Sequence, residues 1–332
     1  MVEAKALLSF REDAQIRGMI MKVKHFMMLV LLAGLWGPSF LFIKVAVQTI
    51  PPITLVAGRV GIGAVLLLIY LYAQGGHLPK DRTVWRHLAV IALIHNAIPF
   101  VLFSWSEQYI DSAVASILNG TTPLFTIVLA HFFIMDDRLT PAKLVGTLIG
   151  FGGLLLLALP SFIDGIQLTT LGVLGVALAA ALYGVAIVYS RKYLRDLPPF
   201  VAPTGQMIMA TLYVLPLSLL VERPYLLPAP SIQSLLSLLA LAVLGTAVAF
   251  VVYYRLLAVA DASYVSMTTY LIPIVGIILG VVVLNEHLTW HSYVGCGLIL
   301  FGVMVVNGVL RSRSIKRLFN RYDQLGSDPA RL

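Results

Sequence analysis

Charged side chains are scarce in the long apolar stretches of this 332-residue sequence, and three of them could act on a solute. Lys44 and Arg59 lie inside such stretches, and Glu107 ends another. A charge at the centre of a membrane-spanning helix costs at least about 2.5–3.5 kcal/mol, so each needs an explanation. The two cations could receive a substrate carboxylate or close a gate with Glu107 as partner, or they could form an interfacial salt bridge. We favour a structural role for Arg59 and leave both roles open for Lys44.

A second group of candidates consists of uncharged polar and aromatic residues near the middle of apolar stretches. Trp and Tyr are unusual there, because their polar edges normally find water at the membrane interface. An apolar cavity with a few oriented polar groups suits a small amphipathic solute. The alternative role for each residue is an interhelical hydrogen bond worth about 0.6 kcal/mol. Together with Lys44, the predicted solute-binding candidates are Trp36, Ser39, Asn96, Asn119, Thr122, Tyr183, Tyr253, Thr269 and Tyr270.

The remaining titratable residues offer little further chemistry. All 15 Asp and Glu residues lie in predicted tails, loops or span ends, where Asp111 and Asp261 are expected to be helix N-caps. His95 and His131 lie within apolar stretches and are expected to be neutral and hydrogen-bonded. Because no carboxylate lies near mid-membrane, uniport or exchange is at least as compatible with the sequence as coupling to an ion.

Metal and cofactor chemistry is not predicted. The sequence has no G-x-x-x-x-G-K-[ST] loop, which argues against an ATP-driven pump. Glu286 precedes His287 and His291, so the H-E-x-x-H order of a zinc site is missing. The single cysteine, Cys296, rules out an internal disulfide and is interpreted as a packing residue. We expect no cofactor and no bound metal.

The elements that must position these residues are membrane helices. The chain is 59% hydrophobic and 11% charged, whereas a soluble chain carries roughly 25% charged residues. A bilayer core about 30 Å thick needs about 20 apolar residues per helix. The predicted fold is therefore an all-α polytopic membrane protein with ten transmembrane spans, at about 26–47, 53–73, 88–106, 112–134, 142–162, 168–190, 200–221, 233–256, 262–284 and 290–310.

Loop charges predict the orientation of these spans. Twenty of the 23 Lys and Arg residues fall in the tails and in the loops on the N-terminal side of the membrane, whereas the opposite loops hold only Arg223. Positively charged loops stay in the cytoplasm, so both termini are predicted to be cytoplasmic. The basic tails are expected to face anionic lipid headgroups rather than nucleic acid.

The sequence also repeats itself. Asp111 through Pro123 matches Asp261 through Pro273 at an offset of 150, and Pro51-Pro52 matches Pro198-Pro199 at an offset of 147. Each half holds five spans, so the second half must enter the membrane from the opposite side. Transporters use such inverted repeats for alternating access.

Two prolines occupy equivalent positions in the repeats. Pro123 and Pro273 are expected inside spans 4 and 9, where a proline removes one backbone hydrogen bond. They predict either hinges or static kinks. With Arg59 and Glu107 they are the structural or gate candidates.

Four regions are expected along the chain. Residues 1–25 form a cytoplasmic tail, 26–162 the first repeat, 163–310 the second repeat, and 311–332 a basic cytoplasmic tail. The first apolar stretch lacks a small-residue cleavage site and is interpreted as a retained helix. Met1, Met19 and Met21 are alternative start residues.

Several short motifs follow one another in both halves. They are Phe42-Ile43-Lys44, Ile50-Pro51-Pro52 with Arg59, Asn119 through Thr126, Gly245-Thr246-Ala247 with Tyr253-Tyr254, Tyr270-Leu271-Ile272-Pro273, and Asn285 through Thr289. Their order and spacing resemble the EamA-type members of the drug/metabolite transporter superfamily over about 26–310. The family usually has Gly where this sequence has Asn285. The resemblance implies ten helices around a central cavity, with spans 5 and 10 at the periphery, and it does not identify the solute.

These features and the resemblance predict a secondary transporter of small organic metabolites, an amino-acid or metabolite exporter that works by alternating access. The resemblance and the compact loops imply a bacterial inner membrane. A selective channel for a small solute is the alternative. A membrane-embedded enzyme is disfavoured because no acid–base pair or metal cluster is apparent, and a sensor because no extramembrane domain is present. Transport direction, coupling ion and the choice between monomer and homodimer stay open.

Overall fold

The computed structural model describes residues 25–133, 140–163, 167–259, 265 and 268–307. Within these residues the chain is helical and has no strand, which confirms the predicted all-α membrane fold. Eight of the described helices are long and apolar enough to cross a membrane, and two more are shorter. In the order of the predicted spans they are α1 His25–Ala46, α2 Pro52–Ala73, α3 Arg82–Ser106, α4 Ser112–Phe133, α5 Pro141–Pro160, α6 Leu168–Tyr193, α7 Val201–Leu226, α8 Ile232–Leu256, α9 Thr268–Val283 and α10 Trp290–Val306.

Some of the sequence predictions fall outside the described residues. These are the two tails, Asp261 with the first residues of span 9, and the loop that holds Asp137. The region boundaries and the inverted relation of the two halves stay predictions. We name helix ends outer and inner after the orientation that the loop charges predict.

Local chemistry sets where several helices begin. Pro52 is the first residue of α2, where its missing N–H leaves no bond unmade. The Asp81 carboxylate accepts the N–H of Thr83 at 2.7 Å in front of α3. The Ser231 hydroxyl accepts the N–H of Ser234 at 3.2 Å in front of α8. Such caps satisfy amides that have no partner within the first turn.

Two helices of the centre meet at one end and part at the other. The outer half of α4 (Ser112–Asn119) packs on α9, whereas its inner half (Thr122–Phe133) packs mainly on α6. Toward the inner side, Val265 and Leu271 join a cluster formed with α1 and α8. In the described part of the chain, α4 and α9 therefore diverge from the outer side to the inner side.

Near the crossing of α4 and α9, the prediction that Pro123 lies inside a helix is wrong. α4 is interrupted at Gly120 and Thr121, so Pro123 is the second residue of a new helical segment, where it sacrifices no backbone hydrogen bond. Pro273 does lie inside α9. A Cβ added at Gly120 would come within 3.2 Å of the Pro273 ring, so the crossing depends on this glycine.

α3 and α8 each contain one wide helical turn. Residues Ala92–Ala97 and Val243–Val248 are π-helical, and the two segments begin 151 residues apart. Because a π turn adds a residue to the helix, it shifts the side chains that follow, and such turns often mark functional sites. The two turns place His95 and Thr246 at corresponding points of the two halves.

α5 and α10 pack chiefly on each other. A Cβ added at Gly146 would lie 2.8 Å from the carbonyl oxygen of Gly302, so their backbones are in close contact. Small residues allow this approach between membrane helices.

Candidate functional site

Arg59 lies on α2, where it is 7% exposed. Its Nε donates to the hydroxyl of Thr246 on α8 at 3.1 Å, and its guanidinium carbon stands 4.0 Å from the centre of the Phe100 ring of α3. Among the described residues it has no acidic partner within ion-pair distance. A planar cation held by one hydroxyl and one aromatic face keeps its other N–H groups available for an anion.

A neutral pair stands at the corresponding place in the other half. The offset of 147 that pairs the proline motifs also pairs Gly58-Arg59 with Gly205-Gln206. Gln206 of α7 lies near His95 of α3, and these helices correspond to α2 and α8, which carry Arg59 and Thr246. The helix pair α2 and α8 therefore carries a charged residue, Arg59, at this place, whereas the corresponding pair α7 and α3 carries only neutral residues.

Tyr183 of α6 lies between these two polar pairs. Its ring centre is 5.1 Å from that of His95 and 5.8 Å from that of Phe103. It is also within electrostatic range of Arg59. We call Arg59, Phe100, Tyr183 and Thr246 the arginine site, and it draws residues from both halves of the chain.

Buried polar atoms without a described protein partner occur on α1, α3 and α4, and one of them lies beside this site. Ser39 lies close by, since a Cβ added at Gly245 would be 2.8 Å from the Ser39 hydroxyl and 3.9 Å from Arg59 Nη2. That hydroxyl, both side-chain polar atoms of Asn96 and the Oδ1 of Asn119 are buried and have no hydrogen-bond partner in the described protein. Buried polar groups are nearly always hydrogen-bonded, so such atoms indicate places for a solute or water.

Other predicted solute-binding residues are not brought to the arginine site. Trp36 and Tyr253 pair with each other, ring centres 5.5 Å apart, in the cluster between α1 and α8. The Tyr270 hydroxyl donates to the carbonyl of Val303 at 3.1 Å, so this side chain points to α10. The list is completed by Thr122, which bonds the carbonyl of Asn119 in its own helix, and by Thr269, which is half-buried on α9.

Lys44 joins the outer end of α1 to the loop between α3 and α4. Its ammonium donates to the backbone carbonyls of Glu107 and Ile110, both at 2.7 Å. The sequence suggested the Glu107 side chain as its partner, but the bonds go to the main chain. The Glu107 carbonyl lies at the C-terminal end of α3, where a cation is favourable, and the Ile110 carbonyl lies in the loop that follows.

Glu107 directly follows the last residue of α3 and is fully buried. Neither carboxylate oxygen has a hydrogen-bond partner among the described groups. Burial raises the pKa of this carboxyl well above its usual range; Lys44 and Arg59 oppose the shift, and Glu286 adds to it. Burial without a hydrogen-bond donor therefore favours the neutral form of this carboxyl.

Glu286 is a structural residue whose role the sequence did not predict. Its carboxylate accepts the N–H groups of Ser112 at 2.7 Å and Ala113 at 3.0 Å, the first amides of α4. Asp111 occupies the N-cap position but makes no capping bond with its side chain, which corrects the prediction, because the Glu286 carboxylate already occupies that place. Asn285 has a φ of 54°, a left-handed conformation that Asn adopts more easily than most residues, which accounts for its presence where the family has Gly.

Glu222 caps the first turn of α2 with its carboxylate, as Glu286 caps α4. Its carboxylate accepts the N–H of Ile53 at 2.9 Å, and both the N–H and the hydroxyl of Thr54 at 2.6 Å. At the outer side, two acidic residues of the second half therefore cap two helices of the first half. The sequence signal was the correspondence of Glu286 with Asp137, which marks this loop position in both halves.

Comparison with known proteins agrees with this architecture. A family model described as the EamA-like transporter family matches residues 24–159 and, a second time, residues 170–308. A solved crystal structure superposes with a TM-score of 0.61 over 86% of this chain and 97% of the other, at 20% sequence identity. At that identity the likeness shows the fold.

Sequence relatives include proteins from bacteria, archaea and a plant. The chain is 26% identical to the uncharacterized transporter YoaV of Bacillus subtilis, over 85% of this chain and 96% of the relative. It is 27% identical to an uncharacterized transporter of Archaeoglobus fulgidus, over 86% and 99% of the two chains. The uncharacterized inner membrane transporter YedA of Escherichia coli is 25% identical over 82% of this chain and 87% of the relative.

Proposed function

The chain belongs to the EamA-like transporter family, and from that premise we propose that it is a secondary carrier of small organic metabolites bearing a carboxylate, with amino acids as the first class to test. It is a multi-pass integral membrane protein, and its relatives carry the name of transporters. Export across a bacterial inner membrane is the direction and location that we propose.

The unpaired charge of Arg59 carries the proposal of an anionic group on the solute. An arginine buried in a membrane protein without an acidic partner is costly, and such residues mark solute pathways. At the corresponding place in the other half the helices pack with the neutral residues Gln206 and His95, so packing of this kind does not require a charge. A guanidinium binds a carboxylate through two parallel hydrogen bonds, and the aromatic rings of Phe100 and Tyr183 offer apolar surface beside it.

The arrangement of α4 and α9 supports alternating access. The two helices touch at the outer end, where Glu286 joins them, and diverge toward the inner end. The arginine site lies between helices of both halves, as expected for a site that opens alternately to each side by rocking of one bundle against the other. The arrangement described here corresponds to an outer side that is closed.

Counterflow in liposomes tests the proposal. Purified protein is reconstituted into vesicles loaded with an unlabelled amino acid, another carboxylate metabolite, a sugar or a nucleotide, and the external uptake of the labelled compound is followed. A carrier of carboxylates accumulates label transiently in the first two cases only. Accumulation of sugar alone contradicts the role of Arg59, and flux without accumulation in any case, with reconstitution verified, identifies a channel.

A further inference from the structure

Glu107 is the buried acidic side chain that the arginine site does not use. Its side chain is fully buried at the outer end of α3, yet both of its oxygens lack hydrogen-bond partners in the described protein. Two other acids of the outer side, Glu222 and Glu286, each accept at least two hydrogen bonds, whereas the half-buried Asp111 makes no side-chain capping bond. Glu222 and Glu286 therefore act as helix caps, and Glu107 does not.

The charges that face Glu107 come from three separate elements. Lys44 on α1 and Arg59 on α2 are the cations, and Glu286 in the loop before α10 is the anion. Asp111, the last loop residue before α4, interacts electrostatically with Lys44 and Glu286. The described hydrogen bonds of Lys44 go to main-chain carbonyls, and that of Arg59 goes to Thr246, so neither cation is committed to the carboxylate.

A recess lies beside Glu107 at the outer side. A recess of about 340 Å³ is lined by Lys44, Val47, Gln48, Glu107, Gln108 and Tyr109. These residues lie at the outer ends of α1 and α3 and in the loop that follows α3. Glu107 therefore belongs to the outermost layer of the helix packing, next to this recess.

We propose that Glu107 is the proton-binding carboxyl of the transport cycle, a proposal that rests on the alternating access proposed above. With the outer ends packed together, the carboxyl is neutral and holds its proton. When the outer ends separate, the O–H bond breaks, the proton passes to external water, and the carboxylate that remains is hydrated and faces Lys44 and Arg59.

The same geometry sets the direction of coupling. An ionised Glu107 competes with an anionic solute for Arg59, whereas a protonated Glu107 leaves Arg59 to the solute. The closed arrangement therefore holds one proton and one anionic group together, and the two move across the membrane in the same direction. External acid is expected to drive solute inward. Export, the direction proposed above, is expected to be driven by the outward solute gradient and to carry protons out.

An infrared titration tests the protonation step without any solute. Wild-type protein in lipid nanodiscs is compared with Glu107→Gln and with Asp196→Asn, which removes an exposed carboxylate. We expect a protonated-carboxyl C=O band at neutral pH that is missing in Glu107→Gln and unchanged in Asp196→Asn. A band of equal size in Glu107→Gln overturns the proposal. If Glu107→Gln does not fold, Glu107→Asp is measured in its place. We expect the C=O band to shift in this variant, and an unshifted band overturns the proposal.

The coupling step is measured in the same vesicles as the counterflow assay. A solute identified there is supplied outside the vesicles at low pH, and its accumulation driven by the pH gradient is measured. For each variant this accumulation is divided by the counterflow of the same variant. We expect this ratio to fall at least tenfold in Glu107→Gln and to stay unchanged in Asp196→Asn. An unchanged ratio in Glu107→Gln overturns the coupling proposal while leaving the carrier in place. If wild-type protein shows no counterflow, the proposed function fails, and the infrared band still decides whether Glu107 holds a proton.

Discussion

The carboxylate of Glu286 accepts the backbone N–H of Ser112 at 2.7 Å, so a loop of the second half of the chain caps a helix of the first half. The first amides of a helix have no partner within it and carry partial positive charge, which favours a carboxylate at this place. The bond lies where α4 and α9 meet at the outer side. The alternating access proposed above predicts that this bond breaks when the outer side opens.

Glu286→Gln weakens this connection, because a neutral amide accepts hydrogen bonds less strongly than a carboxylate. We expect the variant to lose about 1–3 kcal/mol of stability, seen as a lower apparent melting temperature in detergent. Asp111→Asn is the matched control, since Asp111 makes no side-chain capping bond. An equal loss in both variants contradicts the assignment of Glu286 as the cap.

Gly280→Ala tests the same connection from the other helix. A Cβ at this position would collide with the Glu286 carboxylate and stand 3.0 Å from the Ala113 Cβ. We expect displacement of Glu286 and a lower melting temperature, by roughly 1–3 kcal/mol of overpacking. Gly297→Ala is the control, because a Cβ there meets nothing within 4 Å. A Gly280→Ala variant as stable as this control shows that Glu286 is not held against α9.

Arg59→Gln separates binding from packing. It reproduces the neutral residue that stands at the corresponding position, Gln206, so the folded state should be no less stable than wild type. Counterflow of a carboxylate solute should fall roughly thirtyfold or more, which corresponds to the loss of about 2 kcal/mol of a desolvated charge interaction. Arg59→Lys should be intermediate, because it keeps the charge without the planar fork.

The control for this experiment is Arg195→Gln, which removes an exposed arginine that pairs with its neighbour Asp196. Wild-type counterflow by a well-folded Arg59→Gln protein would assign Arg59 the structural role that the sequence suggested. A loss of folding together with transport would also count against a solute-binding role.

Glu222→Gln is expected to lower stability more than Glu286→Gln. The Glu222 carboxylate accepts three hydrogen bonds from the first turn of α2, one of them from the Thr54 hydroxyl. Thr54→Val removes that hydroxyl alone and should cost about 1 kcal/mol. The double variant measures the coupling between the two residues, and strictly additive losses would show that they do not act on each other.

Asp111 predicts a pH dependence of stability. Burial raises its pKa above the usual value, Glu286 adds to the shift, and Lys44 opposes it. The folded state therefore binds the proton more tightly, and the stabilisation is present at low pH and is lost as the pH rises through the raised pKa. Asp111→Asn removes this dependence, so its stability relative to wild type should increase from about pH 4 to pH 7. Melting curves of both proteins at the two pH values check the sign, and a constant difference would contradict it.

Some of the solute-binding candidates predicted from the sequence lie beside Arg59, and others do not. Tyr183 and Ser39 were predicted from their polarity in apolar stretches, and the structure places both beside Arg59. Tyr270 satisfied the same criterion and faces α10 instead. Sequence spacing places a residue on a helix at a given depth, but the side of the helix that faces a neighbour depends on how the helices are rotated and packed.

The sequence by itself determined the class of the protein, its ten apolar spans and its family, because hydropathy and ordered motifs are properties of neighbouring residues. Only the tertiary structure showed that Glu286 and Glu222 cap helices about 170 residues away, and that Arg59 lacks an acidic partner among the described residues. It also showed that the Glu107 carboxyl is buried without a hydrogen bond. A cap, an ion pair and burial are relations between distant segments. Their free energies depend on atomic distances and on the exclusion of water, which no single stretch of sequence contains.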